Sequence, residues 1–387
     1  MDLDTMTNLV LNNEYKLHEK PLPPNQNQPS TQKKRGYGLD EYYEEERLSN
    51  EQPPLSEDNS SMKNAKSKKR KRTKKQKIFL AIKILIIFIL LCIAFLFVFF
   101  KTNIFQKYKE LWVQTAMTTM NHQYLATWFL SDEEIQEIMS HLEVQNNENS
   151  NSNDILVGKN NGDVTIEKIT GTGYVGYVMT IPDASKVKLV DGRKSSRGSK
   201  LSEIVTSNNA LAGINAGGFS DPGGVGNGNI LCDAVIMNQK LLSGNKSTRY
   251  SLIGLSKDHK LVLGKYNYQE AINAGIQSAV EFGPFIIVNG NKQIKNANSG
   301  GIQPRMAIGQ KKDGTMLFVC IDGRQPGYSI GTTLLELQNI FEKYGAYNAA
   351  NLDGGSSATM YCNGKVVNKT STPMGERYLP NAFIVEK

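Results

Sequence analysis

The sequence is poor in the side chains that most catalytic and metal sites are built from. Its 387 residues include four histidines and four cysteines. No two histidines stand at metal-ligand spacing and no CxxC pair occurs, which argues against a zinc site. A hard cation held by Asp and carbonyl oxygens would leave no such signature and stays open; no cofactor is expected. The single histidine beyond residue 155, His259, sits in the turn-like "SKDHKL". Ser356 and Ser357 therefore lack an evident activating base, which argues against a serine hydrolase. Cys92 falls in a long apolar run, leaving Cys232, Cys320 and Cys362. An odd number argues against a full disulfide framework, although a Cys232–Cys362 bond stays open. Cys320 reads as an ordinary buried thiol in an apolar strand.

Positive charge is also scarcer than the net +8 suggests. The run "KNAKSKKRKRTKKQK", Lys63 to Lys77, holds ten Lys or Arg, so everything outside it sums to −2. No comparable basic density remains for a folded domain to offer to nucleic acid. Residues 1–77 are polar, carry Pro21, Pro23, Pro24, Pro53 and Pro54, and lack a sustained apolar period, which predicts disorder. Within them "LDEYYEEERL" reads as a solvated acidic patch.

Ile78 to Phe100, "IFLAIKILIIFILLCIAFLFVFF", carries one charge in 23 residues, about 35 Å of helix and enough to cross a bilayer. Its length, its late start and the lack of a small-residue cleavage site argue against a signal peptide. The positive-inside rule puts the tail in the cytoplasm and everything after Lys101 outside, with the basic run near anionic lipid headgroups. Residues 101–154 read as a helical stalk, with Ser131 and Glu134 spaced as a capping box, followed by a polar linker, "QNNENSNSND".

Residues 155–387 are the part able to bury a large core. Short apolar runs are separated by Asn161-Gly162, Asn289-Gly290, Asp313-Gly314 and Asn363-Gly364, which read as turns between strands. The clearest helix starts at "TTLLELQNIFEKYG", with Thr333 and Glu336 as a second capping box and Gly345 as its end. The fold class expected is α+β: a mixed, largely antiparallel sheet with a few packed helices, preceded by one transmembrane helix and the stalk.

Three strand-like runs end alike. "LAGINAGGF" ends on Asn215, "LFVCIDGRQPGYS" on Asp322 before Gly323, and "AANLDGGSS" on Asp353 before Gly354 and Gly355. Glycines at such ends allow close backbone approach and expose a polar side chain at a sheet edge. With Arg305 in "GIQPRMAIG" and Arg324 nearby in sequence, the three loops are expected to share one cleft. The plainer reading is three unrelated turns, since Asp-Gly is a favoured turn pair.

In this order "INAGGF", "GPFIIVNG", "PRMAIG", "DGRQPGYSIGTTLLELQNIFEKYGA" and "NLDGGSSATMY" resemble the phosphodiester glycosidase family, over roughly Leu201 to Lys387. Met306 stands where that family usually has Thr, and Ser356 where a third Gly is common. The resemblance implies cleavage of a sugar-1-phosphodiester of the N-acetylglucosamine-1-phosphate type, in cell-envelope or exopolysaccharide polymers. Under it Asp353 is expected to act as nucleophile or base and Asp322 as the second carboxylate. Arg305 and the amides of Gly354, Gly355 and Ser356 would hold the phosphate, Asn215 would orient sugar hydroxyls, and Arg324 and Ser329 are further substrate contacts. Two rivals stay open: a surface polysaccharide-binding protein without turnover, and an envelope glycopolymer phosphotransferase.

Overall fold

The computed structural model describes residues 73–387 apart from 120–121, 147, 159–160 and 223–225. The expected disordered tail lies outside the described residues except at its last few positions. The chain divides into two units between Phe88 and Ile89, inside helix α1, Lys74–Lys101. At 28 residues this helix is about 42 Å long. It begins four residues earlier than the apolar run, and among the described residues it is the one helix long and apolar enough to cross a membrane.

Every strand pairing among the described residues is antiparallel, in keeping with the largely antiparallel α+β class expected. Sheet I has seven strands in the order Thr165–Gly171, Tyr174–Ile181, Met316–Ile321, Arg305–Gln310, Asn348–Leu352, Phe285–Val288, Asn291–Lys292. Sheet II has five: Leu261–Tyr266, Tyr250–Ser256, Ile276–Glu281, Val235–Met237, Lys240–Ser243. Sheet III has five: Lys365–Val366, Met360–Cys362, Ala210–Asn215, Asn381–Glu386, Val187–Asp191.

Strand periodicity sorts the side chains into layers. Met306, Ile308, Phe318 and Cys320 of sheet I enter a central core shared with Ile253 and Leu255 of sheet II and Ile214 and Phe383 of sheet III. The alternate residues of sheet I, Ala307, Leu317, Val319 and Ile321, pack with Leu337, Ile340 and Phe341 of a helix covering the outer face. With both faces covered these strands read as unbroken apolar runs. Sheets II and III are backed in the same way by Tyr268–Asn273 and Leu201–Ser207. Gln310, fully buried, ties sheets I and II: its Oε1 accepts from Leu261 N at 2.6 Å and its Nε2 donates to the carbonyls of His259 and Gly314, both at 3.0 Å.

The turn pairs Asn289-Gly290 and Asn363-Gly364 adopt positive φ at both residues (54° and 80°; 48° and 82°), as a hairpin matching strand twist requires. Ser131 and Glu134 form the reciprocal capping box. Thr333 caps Leu334–Lys343 through its hydroxyl, but Glu336 does not return the bond; its carboxylate accepts from Tyr174 Oη at 3.1 Å. All the cysteines are free, so the Cys232–Cys362 bond is not formed.

The segment expected as a stalk and linker is built into the domain instead. Helix α2, Gln106–Met117, docks on the loop 298–303: Gly300 N donates to Gln114 Oε1 (3.2 Å), Ile302 N to Thr115 Oγ1 (3.1 Å), and Gln303 Nε2 to Thr115 O (2.8 Å) and Thr118 Oγ1 (3.0 Å). Gly301 (φ +59°) permits this, since a Cβ there would sit 2.5 Å from Thr115 N. Asn149 and Ser150 of the polar "QNNENSNSND" lie along the edge strand Leu261–Tyr266. Ser150 N donates to Leu263 O (2.7 Å), Leu263 N to Ser150 Oγ (2.8 Å), and Lys265 N to Asn149 Oδ1 (2.9 Å). Asn and Ser side chains that favour loops also mimic backbone partners, so a composition that reads as loose here specifies attachment.

Candidate active site

Strand register brings two of the three expected loops to one end of sheet I. Arg305 pairs with Ile321 and Met306 with Leu352, so Asp322 and Asp353 each follow directly from a neighbour of the strand that Arg305 begins. The third loop joins from sheet III: Asn215 Nδ2 donates to Asp353 O (2.6 Å), Thr359 N donates to Asn215 Oδ1 (3.0 Å), and Asp353 N donates to Ala216 O (3.1 Å). Asn215 is fully buried and both ends of its amide bond to backbone. It pins the Asp353 loop and has no surface toward a ligand.

Asp353 lies where two cavities meet. The larger, about 610 Å³, is lined by Arg305, Arg324, Arg377, Gly354, Gly355 and Ser356, and on another wall by Thr118, Thr119 and His122. The smaller, about 240 Å³, adds Asp233, Glu281, Cys232 and Phe219, and shares Phe282, Asp353, Ser357 and Arg377 with the first. The junction is thus cationic on one side and acidic on the other.

The three arginines are held differently. Arg305 is 7% exposed, with Nε donating to Thr332 O (3.1 Å) and Nη2 to the carbonyls of Gly300 and Gly301 (2.6 and 2.7 Å). Burial, then the Arg324 charge, pushes its proton affinity down. Arg324 stands at φ +58°, rare for a bulky residue, and its Nη2 donates to Gln303 Oε1 (2.7 Å). Gly355 (φ +57°) lies under that guanidinium, and a Cβ there would be 3.3 Å from Nη2. Arg377 bonds Ser356 Oγ (3.0 Å) and pairs with Asp221 (3.1 Å). Among the described residues no carboxylate lies within ion-pair distance of Arg305 or Arg324. Helix α2 reaches both: the loop it holds supplies the carbonyls on Arg305 and, through Gln303, the acceptor on Arg324.

Burial raises Asp353 from an ordinary 3.8 to about 6, against the lowering effects of the Ser357 hydrogen bond, Arg377 and Arg324. In the acidic cavity Glu281 is also raised, by burial and then by Asp233.

The structure does not bring Asp322 to either cavity. It is 1% exposed and accepts from Tyr328 Oη (2.9 Å), Asn368 Nδ2 (3.1 Å) and Lys369 N (3.1 Å). It locks the loop after Ile321 to the loop after Val366. Ser329 is likewise buried, donating to Asp322 O (2.6 Å) and accepting from Val175 N (3.0 Å). The Gly355 amide is spent on Pro304 O (2.9 Å). Arg305, Arg324, Gly354, Gly355, Ser356 and Asp353 do converge. Arg377, Asp233, Glu281 and Asn351 line the cavities without having been singled out in the sequence. Asn351 carried a signal, standing two residues before Asp353 and so on the same face of its strand; Arg377, in "PMGERYLP", carried none. No group of three or more His, Cys, Asp or Glu able to hold a metal occurs among the described residues.

Residues 208–386 match the family model described as phosphodiester glycosidase. The SPbeta prophage-derived uncharacterized protein YomE of Bacillus subtilis (strain 168) is 32% identical over 104 residues, 26% of this chain but 16% of that protein. Among solved structures, the zebrafish N-acetylglucosamine-1-phosphodiester alpha-N-acetylglucosaminidase catalytic domain, auto-inhibited by its pro-peptide, is 18% identical, with 62% of this chain and 88% of that one covered and a TM-score of 0.49. A hypothetical protein from Synechocystis is 18% identical, with 58% and 62% covered and a TM-score of 0.42. Over residues 208–386, the chain is similar to the phosphodiester glycosidase family.

Proposed function

We propose that the protein is a membrane-anchored hydrolase that cleaves a sugar-1-phosphodiester, of the N-acetylglucosamine-1-phosphate type, in glycopolymers of the cell envelope or exopolysaccharide. Its tail is cytoplasmic and its catalytic domain lies outside. One observation carries the chemistry: Arg305 and Arg324, without carboxylate partners among the described residues, border the same cleft as Asp353. A guanidinium left unpaired at a cleft wall is a standing site for an anion, and the planar fork suits phosphate.

In this reading the phosphate sits among Arg305, Arg324 and Arg377, and the sugar enters the smaller cavity, where Asp233 and Glu281 accept its hydroxyls. Asp353, between them, faces the anomeric carbon. It takes a proton from water as the water oxygen bonds to C1; the bond from C1 to the phosphate oxygen breaks, and its electron pair leaves with a phosphate monoester. That leaving group is good enough to need little general acid. Asp322 contributes by fixing the loop that carries Arg324, and Asn215 by fixing the loop that carries Asp353.

The test is hydrolysis of methyl N-acetylglucosamine-1-phosphodiester by the full chain in ¹⁸O-water, beside Asp353→Asn. The label entering the free sugar, and activity lost in the variant, is the result expected. Label in the phosphate would indicate attack at phosphorus, as in a transferase. Binding without release in either protein would point to a polysaccharide binder.

A further inference from the structure

Outside α1, every exposed aromatic side chain among the described residues lies between positions 104 and 128: Tyr108 (62% exposed), Trp112 (41%), Tyr124 (41%) and Trp128 (73%), with Ile104 (73%) beside them. Both tryptophans of the chain are in this set. Tyr108 and Trp112 stand one turn apart on α2 and so on one face; Tyr124 and Trp128 pair with ring centroids 4.9 Å apart. Trp112 Nε1 donates to Leu125 O at 2.8 Å, which ties the two pairs together.

This patch continues directly from the end of α1. The Trp112 ring lies 6.5 Å from Phe99 and 6.2 Å from Phe100, Phe129 stacks on Phe100 at 4.5 Å, and Phe105 lies 5.9 Å from both Phe95 and Phe99. The last turns of the apolar helix and the exposed aromatic surface are therefore one cluster. Large rings left open to water are a liability. Trp and Tyr, apolar in body and polar at the tip, are the residues that settle at the level of lipid headgroups.

We propose that Ile104, Tyr108, Trp112, Tyr124 and Trp128 form a collar lying in the headgroup layer of the bilayer that α1 crosses. The proposal rests on reading α1 as a membrane span. Its consequence for the site is positional. Thr118, six residues beyond Trp112 and so about 9 Å along the helix, already lines the cleft with Thr119 and His122. The cleft is thereby held within reach of headgroups, and the substrates it meets are sugar phosphodiesters carried on, or lying against, the membrane.

Because both tryptophans belong to the collar, intrinsic fluorescence reports on it without background. The full chain is placed in lipid nanodiscs bounded by a tryptophan-free scaffold protein, with Trp112→Phe and Trp128→Phe to isolate each ring, and quenched with lipids brominated near the top of the acyl chain or with aqueous iodide. The expected result is that each remaining tryptophan loses roughly half its emission to the brominated lipid and little to iodide. Quenching by iodide alone overturns the proposal, and so does shielding from both quenchers, which would mean that a second copy covers the patch. A chain that does not stay in the nanodisc removes the span and the collar with it. None of these readings depends on turnover, so they stand or fall separately from the proposed hydrolysis.

Discussion

Asp353→Asn should make the protein more stable at alkaline pH while abolishing its activity. The wild-type carboxyl is held at about 6, against 3.8 ordinarily, chiefly by burial. A carboxyl whose folded value is raised binds more protons folded than unfolded, so its contribution to stability is complete below about pH 3.8 and lost as pH rises through 6. Ionising it at pH 8 therefore costs the folded chain about 3 kcal/mol. Asparagine has nothing to ionise and escapes that cost. Spread over Ile89–Lys387, with roughly 2.1 cal/mol/K of unfolding entropy per residue, 3 kcal/mol corresponds to about 5 °C in Tm. The assay is thermal unfolding of both proteins at pH 4 and pH 8: the variant should gain its advantage at pH 8 and lose most of it at pH 4. Wild-type kcat/KM should rise about tenfold per pH unit toward a plateau above 6, as the base form fills. A variant no more stable at pH 8 than wild type, or a rate indifferent to pH between 5 and 7, would refute the argument that burial of this carboxylate is the cost of its reactivity.

Other outcomes follow from the same geometry. Arg324→Met should lower kcat/KM about 100-fold, the loss of roughly 3 kcal/mol of charge stabilisation, and weaken competitive inhibition by inorganic phosphate, measured by steady-state kinetics. Gly301→Ala should drive α2 off the loop it grips, which limited proteolysis between residues 102 and 118 will report, and activity should fall although the site residues are intact. Gln310→Leu removes three buried hydrogen bonds, two of them to the sheet II hairpin at Leu261 and His259, and should cost about 3 kcal/mol in denaturant unfolding, leaving the kcat of folded protein unchanged.

The α+β class and the hairpins at Asn289-Gly290 and Asn363-Gly364 were legible because turn dihedrals and strand periodicity are local. The Asp322 and Asp353 loops do follow strands that flank the one Arg305 begins, but the shared cleft expected for them is lined by Asp353 and not by Asp322. What each carboxylate does once there depends on partners remote in sequence. Asp322 and Asp353 carry the same Asp-Gly signature, yet Asn368 and Lys369 seal one while the other is left bordering two cavities. Arg377 pairs with Asp221 across 156 residues, and no spacing announces that. The stalk reading failed for a related reason: α2 docks through polar groups such as Gln114 and Thr115, which an apolar-period argument counts as solvent-facing.

The stretch that runs along Leu261–Tyr266 also bears on what becomes of the domain if it is cut loose. A strand edge bares a row of amide and carbonyl groups ready to pair with another chain, and one reading Leu-Val-Leu is a strong template for it. Ser150 and Asn149 occupy that row at Leu263 and Lys265. Cleavage between residues 150 and 155 would strip that cover from the C-terminal product, which should then self-associate through the uncovered edge, as size-exclusion chromatography of the cleaved protein would report. The edge of Leu261–Tyr266 is thus closed by residues that come before the family-matched part of the chain, so a fragment beginning at residue 155 would carry an open strand edge that the whole chain does not.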